Sequence, residues 1–199
     1  MSRTIDYYFA TQSPWAFLGH ERFVQLLRSS RRDVNVLPVD YGRVFAASGG
    51  LPLPKRAPQR QAYRLVELRR FADHLGMAMN VQPAFFPVDG TPSSLLITVV
   101  AQHDGMPAAL RLAGAVLAAC WREQRDIASS GTLAELLDET DLPAERLAQA
   151  QGADARARYD AHTQAAIDAG VFGAPSYVVD GELFWGQDRL DFVARKLAF

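Results

Sequence analysis

Ser13 and Pro14 stand between an apolar run, Ile5 to Ala10, and a stretch of helical periodicity. Serine before proline is a helix start: the hydroxyl caps the exposed N–H groups and proline takes the first helical position. The chemistry such a place offers is anion stabilisation, because the first turn of a helix carries unpaired N–H groups and partial positive charge. Two readings of Ser13 stay open on residue type alone, a plain cap or a hydroxyl that helps hold an anion. Gln187 and Asp188 pose the same choice at the last helix. Asp188 suits an N-cap with Asp191 three residues on, and an acid beside a helix N-terminus also suits a zwitterion. Lys55, Arg56, Arg60 and Arg64 form a cationic run, the last three spaced by four on one helix face. That pattern is either a solvated face or a carboxylate site. Trp15, Phe85, Phe86 and Trp185 suit an aromatic pocket or a core between two units. No triad can be assigned around Ser13, so it is not expected to act as a covalent nucleophile.

The remaining reactive residue types are less promising. Cys120 lies beside Ala118, Ala119 and Trp121 in an apolar segment and reads as inert core. His20, His74, His103 and His162 show no i, i+4 pair and no metal-ligand spacing, so no metal site is expected.

The elements that must position these residues follow from periodicity. Ile5 to Ala10 and Val34 to Val39 read as strands, with a helix from Pro14 to Arg28 between them. Pro38 suggests an edge or a strand end. Ser48 to Pro58 reads as a loop, followed by a helix from Gln59 to about Gly76 and an irregular aromatic stretch from Val81 to Gly90. Helices are predicted over Ser93–Gln102, Pro107–Arg122, Thr132–Leu137, Pro143–Gln151 and Ala155–Ala169. The second of these is apolar nearly all round and so central. Ser176 to Asp180 and Leu183 to Trp185 form a hairpin about Asp180-Gly181. Gly186 to Arg189 opens a final helix to about Leu197.

Composition narrows the class. Hydrophobic residues make up 49% and charged residues 22% of 199, as in globular proteins. Lys+Arg 21 against Asp+Glu 22 gives a net charge of −1, which argues against a general nucleic-acid binder. One cysteine allows no intramolecular disulfide and no CxxC pair. No stretch reaches the roughly 18–20 apolar residues of a membrane span and no signal-peptide pattern opens the chain, so a cytoplasmic location is expected.

Excising the middle leaves β-α-β-α-β-β-α, the element order of a thioredoxin fold. The expected architecture is therefore α/β, a thioredoxin-like fold over residues 1–43 and 155–199 with an all-helical domain, 44–154, inserted after the β-α-β unit. The turn Tyr8 to Ala16, the loop Gly170 to Ser176 and the run Phe184 to Leu190 together resemble the 2-hydroxychromene-2-carboxylate isomerases. These are relatives of kappa-class glutathione transferases in the DsbA-like branch of the thioredoxin superfamily. Weaker matches are Pro38 to Phe45, Phe85-Phe86-Pro87 and Trp121-Arg122-Glu123.

The resemblance implies a glutathione-dependent isomerase interconverting 2-hydroxychromene-2-carboxylate, or a similar aromatic-catabolite acid, with the open-chain benzylidenepyruvate. Ser13 would stand at the first cysteine position of the redox turn, and Ala16 at the second. Ser13 would then activate glutathione's thiolate in place of a protein thiol. Pro175 would be cis, with the Ala174 backbone facing the cysteinyl part of glutathione. Trp185, Gly186, Gln187 and Asp188 would clamp the γ-glutamyl end. Lys55, Arg60, Phe86 and Pro87 would contact substrate, and the enzyme would be a homodimer. The asparagine that kappa enzymes carry near Gly50-Leu51 is missing here. A kappa-like transferase and a redox-inactive binding protein stay open beside the isomerase.

Overall fold

The computed structural model describes residues 4–198. β-branched and aromatic residues in Thr4–Phe9 form β1, one of the two interior strands of a four-stranded sheet. β1 runs parallel to β2 (Asp33–Pro38), in the register Ile5 to Val34 and Tyr7 to Val36. It runs antiparallel to β3 (Ser176–Val179), with Tyr8 opposite Ser176. β4 (Glu182–Trp185) completes the order β2-β1-β3-β4. Pro38 ends the edge strand β2, where its missing N–H costs no ladder bond. Asp180 and Gly181 both hold positive φ, 50° and 81°, the geometry of a two-residue primed turn.

Side-chain alternation gives the sheet two different faces. Ile5, Tyr7, Phe9, Val34, Val36, Tyr177 and Val179 pack on α1 (Pro14–Ser30) and on the helices of the middle segment. The Tyr7 ring stacks between Phe9 and Tyr177, with centroids 4.6 and 5.5 Å away. Tyr8, Ala10 and Val39 face the other way, onto Tyr41, Val44, Ala166 and Val171. That side is covered by α2 (Tyr41–Ser48) and α8 (Ala153–Asp168).

The middle segment is α3 (Pro58–Leu75), α4 (Thr91–His103), α5 (Met106–Trp121), α6 (Ser130–Glu139) and α7 (Glu145–Gln149). The fold is thioredoxin-like, and the core runs unbroken from the sheet into α4, α5 and α6. α5 is buried along almost its whole length, as its all-round apolar character predicts. Gly76 ends α3 in the left-handed conformation at φ 63°.

Two elements differ from the sequence reading. α2 was not predicted: it is eight residues long and has Gly42 in its first turn. It forms because Asp40 Oδ1 accepts from the Gly42 N–H at 2.8 Å and because Tyr41 and Val44 are buried. The C-terminal helix begins as a 3-10 turn, Gln187–Arg189, before α9 (Leu190–Leu197). Asp188 is therefore not its N-cap, and its carboxylate pairs instead with Arg189 at 2.6 Å.

Candidate active site

Ser13 caps α1 as its residue type requires: Oγ accepts from the Ala16 N–H at 3.2 Å, and Pro14 follows in the first turn. The Ser13 N–H donates to Ala10 O at 3.0 Å, which closes the turn on the end of β1. The side chain is nearly buried. Because Oγ accepts from the helix, its own proton has no partner among the described residues. The cap thus leaves a hydroxyl free to donate at a helix N-terminus.

The turn is held from below. Thr11 Oγ1 donates to Gly90 O at 3.1 Å and accepts from Ser93 Oγ at 2.9 Å. Thr11 and Ser93 are both fully buried, so this hydroxyl network ties the turn to the start of α4. Gly90 permits the approach, since a Cβ there would strike the side chains of Gln12 and Thr11.

The register of β1 and β3 brings a second segment alongside. Ser176 pairs with Tyr8, so Pro175 lies beside the end of β1, where the Ser13 turn begins. The Ala174–Pro175 peptide bond is cis, and so is Phe86–Pro87. Gly173 O accepts from Tyr41 Oη at 3.0 Å and from Ser176 Oγ at 2.7 Å, which fixes the loop to α2 and to its own strand. A Cβ on Gly173 would strike the Trp185 indole, which also meets Phe172 edge-on at 4.8 Å. Phe172 and Trp185 are both about half exposed.

A third segment joins through the Gly186 N–H, which donates to Pro175 O at 2.9 Å. Gly186 turns the chain at φ 107°, and Gln187 then packs inward. Arg22 Nη1 donates to Gln187 Oε1 at 2.9 Å and also to its backbone carbonyl. The Gln187 carbonyl oxygen is therefore committed to α1. Gly19 makes room for this contact, since a Cβ there would lie 2.7 Å from Gln187 Cβ. The Asp188 side chain is 43% exposed.

The aromatic and cationic candidates lie on the helical side. Trp15 meets Phe71 of α3 edge-on at 5.9 Å, and Phe86 packs on Trp121 at 4.9 Å. Pro87 is exposed. Lys55 and Arg60 are exposed as well. Arg56 and Arg64 are the half-buried members of that run, and the Arg64 guanidinium lies 5.2 Å from the Phe86 ring centre and 5.7 Å from that of Trp121. The sequence shows Arg64 in the cationic run but does not single it out. Its signal was the shared face with Leu68 and Phe71 at i+4 and i+7.

Cys120 takes no part. It is buried in α5, and burial pushes its thiol up to about 12. The folded protein is expected to leave this thiol untouched by an aromatic disulfide reagent at neutral pH and to yield one thiol per chain after unfolding in guanidinium. Rapid native labelling would contradict its burial.

A sheet of this order, a capped helix after an interior strand and a cis-proline loop beside that cap define a thioredoxin-like protein without a redox thiol. The chain belongs to the DSBA-like thioredoxin domain family, whose model matches residues 4–198. It is 26% identical over 200 residues to a 2-hydroxychromene-2-carboxylate isomerase of Sphingobium xenophagum, covering 97% of each chain. It is 24% identical to glutathione S-transferase kappa 1 of Caenorhabditis elegans, covering 96% of this chain and 88% of that one. A solved 2-hydroxychromene-2-carboxylate isomerase superposes with a TM-score of 0.84 at 24% identity, over 98% of this chain and 94% of the other. No helix among the described residues is long and apolar enough to cross a membrane.

Proposed function

We propose that this protein is a glutathione-dependent isomerase of a conjugated aromatic acid, of the type that interconverts 2-hydroxychromene-2-carboxylate and trans-o-hydroxybenzylidenepyruvate. The observation that carries the reading is Ser13, a hydroxyl with an undirected proton at the N-terminus of α1, beside the Ala174–Pro175 loop. In a thioredoxin-like scaffold this place holds a thiolate, and the chain's one cysteine lies elsewhere, buried. A hydroxyl donor and a helix N-terminus suit an anionic sulfur brought in from outside. The names of the isomerase and kappa-transferase relatives support the same reading.

Glutathione when bound supplies a thiolate that adds reversibly to a conjugated double bond, so that the bond can rotate before the sulfur leaves. The chain's own residues do the rest. Ser13 Oγ–H donates to the sulfur and, with the α1 N–H groups, favours its ionised form. The Ala174 backbone, next to Pro175, is placed to pair with an extended peptide. Asp188, with Trp185 and Gly186 beside it, faces the γ-glutamyl end, where a carboxylate suits an α-ammonium group. Gln187 braces that turn through Arg22. Orientation of an anionic substrate against this sulfur supplies the remaining rate enhancement.

Calorimetric titration with glutathione is expected to show one site per chain. Product analysis by proton NMR should then give an isomerised acid with glutathione unconsumed. Absence of glutathione binding would falsify the proposal, and a stable thioether product would assign the chain to transfer instead.

A further inference from the structure

α3 presents Arg64, Leu68 and Phe71 on one face, and that face is turned inward: Leu68 is fully buried and Phe71 packs on the core. A guanidinium at this position must be paired or must await a partner. Arg64 is half-buried over Phe86 and Trp121. Among the described residues it has neither a hydrogen-bond acceptor nor a carboxylate. Arg146, another sheltered arginine, shows the ordinary solution, with Asp104 holding it at 2.8 Å.

The second cation here is Arg56. Its Nε donates to Leu51 O at 2.8 Å and its guanidinium lies 5.9 Å from the Phe45 ring centre. Burial, and after it the charge of Arg56, lower the Arg64 guanidinium to about 10. Among the described residues neither guanidinium pairs with a carboxylate, a cost that an incoming anion removes.

Two contacts tie the wall that carries Arg64 to the candidate site. Phe86 and Pro87 belong to the stretch that ends at Gly90, whose carbonyl accepts from Thr11 in the Ser13 turn. Trp15, in the first turn of α1, touches Phe71 on the same face of α3 as Arg64. An aromatic acid can therefore meet a ring surface and a charge together on the helical side of that turn.

We propose that Arg64, backed by Arg56, is the carboxylate anchor for an aromatic acid whose ring lies along Phe86 and Pro87, and that the exposed Lys55 and Arg60 are not. This rests on the reading of the site as one for an aromatic acid. The anchor is a positioning device: a cation over two ring faces keeps its in-plane N–H groups for a bidentate contact, and lysine cannot reproduce that fork.

The test uses trans-cinnamate as the aromatic carboxylate and cinnamyl alcohol as its neutral counterpart. Each is titrated calorimetrically into wild type, Arg64→Gln, Arg64→Lys and the surface control Arg69→Gln, with and without glutathione. Circular dichroism confirms that each variant folds. Arg64→Gln is expected to weaken cinnamate binding ~10- to 100-fold, with Arg64→Lys intermediate, and cinnamyl alcohol, glutathione and Arg69→Gln within about twofold. A loss of glutathione affinity with cinnamate unchanged would give Arg64 to the glycyl carboxylate and overturn the proposal. Equal cinnamate affinity in wild type and Arg64→Gln, or no cinnamate binding by wild type, overturns it too. Cinnamate binding that depends on Arg64 without any glutathione binding would sink the isomerase reading and leave the anchor standing.

Discussion

Ser13→Ala is expected to lower isomerisation ~10²- to 10³-fold, the scale of losing one preorganised donor to a developing or bound anion. The bound glutathione thiol should rise toward its value in free solution, read from the ultraviolet absorbance of the thiolate against pH. Glutathione affinity should fall only a few-fold, because the Ala174 backbone and the Gly186–Asp188 turn remain. The substitution also removes the cap on Ala16 N–H, which costs about 1 kcal/mol of stability. That loss leaves a domain of this size folded, so a rate effect can be separated from a folding effect by comparing thermal melts. Ser13→Thr supplies the check. It keeps both the cap and the donor, and should retain most of the turnover while Ser13→Ala does not. An unchanged thiol titration in Ser13→Ala would remove Ser13 from the mechanism and leave the helix N-terminus alone to stabilise the sulfur.

The parts of this site that the sequence made legible are those set by neighbours in the chain. Ser13-Pro14 specifies a capped helix start within four residues, and Asp180-Gly181 specifies its hairpin turn because both positions need positive φ. The thioredoxin-like order follows from strands and helices whose periods are unambiguous. Asp188 shows where local reasoning ends. Its type and its spacing to Asp191 suit a cap, yet Gly186 is drawn to Pro175 by a backbone hydrogen bond and the chain enters α9 through a 3-10 turn. A long-range contact decides that geometry, and nothing within four residues encodes it.

The cationic run makes the same point at the level of packing. Spacing by four puts Arg60 and Arg64 on one side of α3, whereas Arg56, expected on the same helix face, lies before the helix in extended backbone. Which of them turns inward depends on how α3 docks against Trp15 and Phe86. The apolar marks Leu68 and Phe71 extend the face through Arg64, and that continuity distinguishes it from Arg60 at the helix start. Gly19 is a comparable clue within α1. A glycine inside a well-formed helix invites a close approach, and here the approach is by Gln187. Its burial against Arg22 makes Gln187 a brace for the turn that carries Asp188.

The second large effect lies further along α1, where stability rather than catalysis is at stake. His20 is buried between β1 and α5, with Nε2 3.0 Å from Leu110 O and Nδ1 3.3 Å from Tyr7 Oη. A carbonyl can only accept, so Nε2 carries the proton and Nδ1 accepts from the tyrosine. The neutral ring thus satisfies both partners. Gly114 packs on the imidazole, where a Cβ would lie 3.1 Å from Nε2. Burial lowers the group to about 4, and the Leu110 carbonyl opposes this only in part. In the unfolded chain the same ring takes its proton near pH 6.5. Between those two values the unfolded state binds a proton that the folded state refuses. Stability from this residue is therefore complete above about pH 6.5 and is lost as the pH falls toward 4, by about 3 kcal/mol in all. His162, lowered by burial in the same direction, adds to the slope. Urea denaturation at pH 7.5 and at pH 4.5 should show the wild type markedly weaker in acid. His20→Gln should be less stable than wild type at pH 7.5 and should lose less between the two pH values, because the titrating ring is gone. An identical slope in the variant would mean that His20 is protonated in the folded protein, and that the Tyr7–His20–Leu110 chain does not hold the ring neutral.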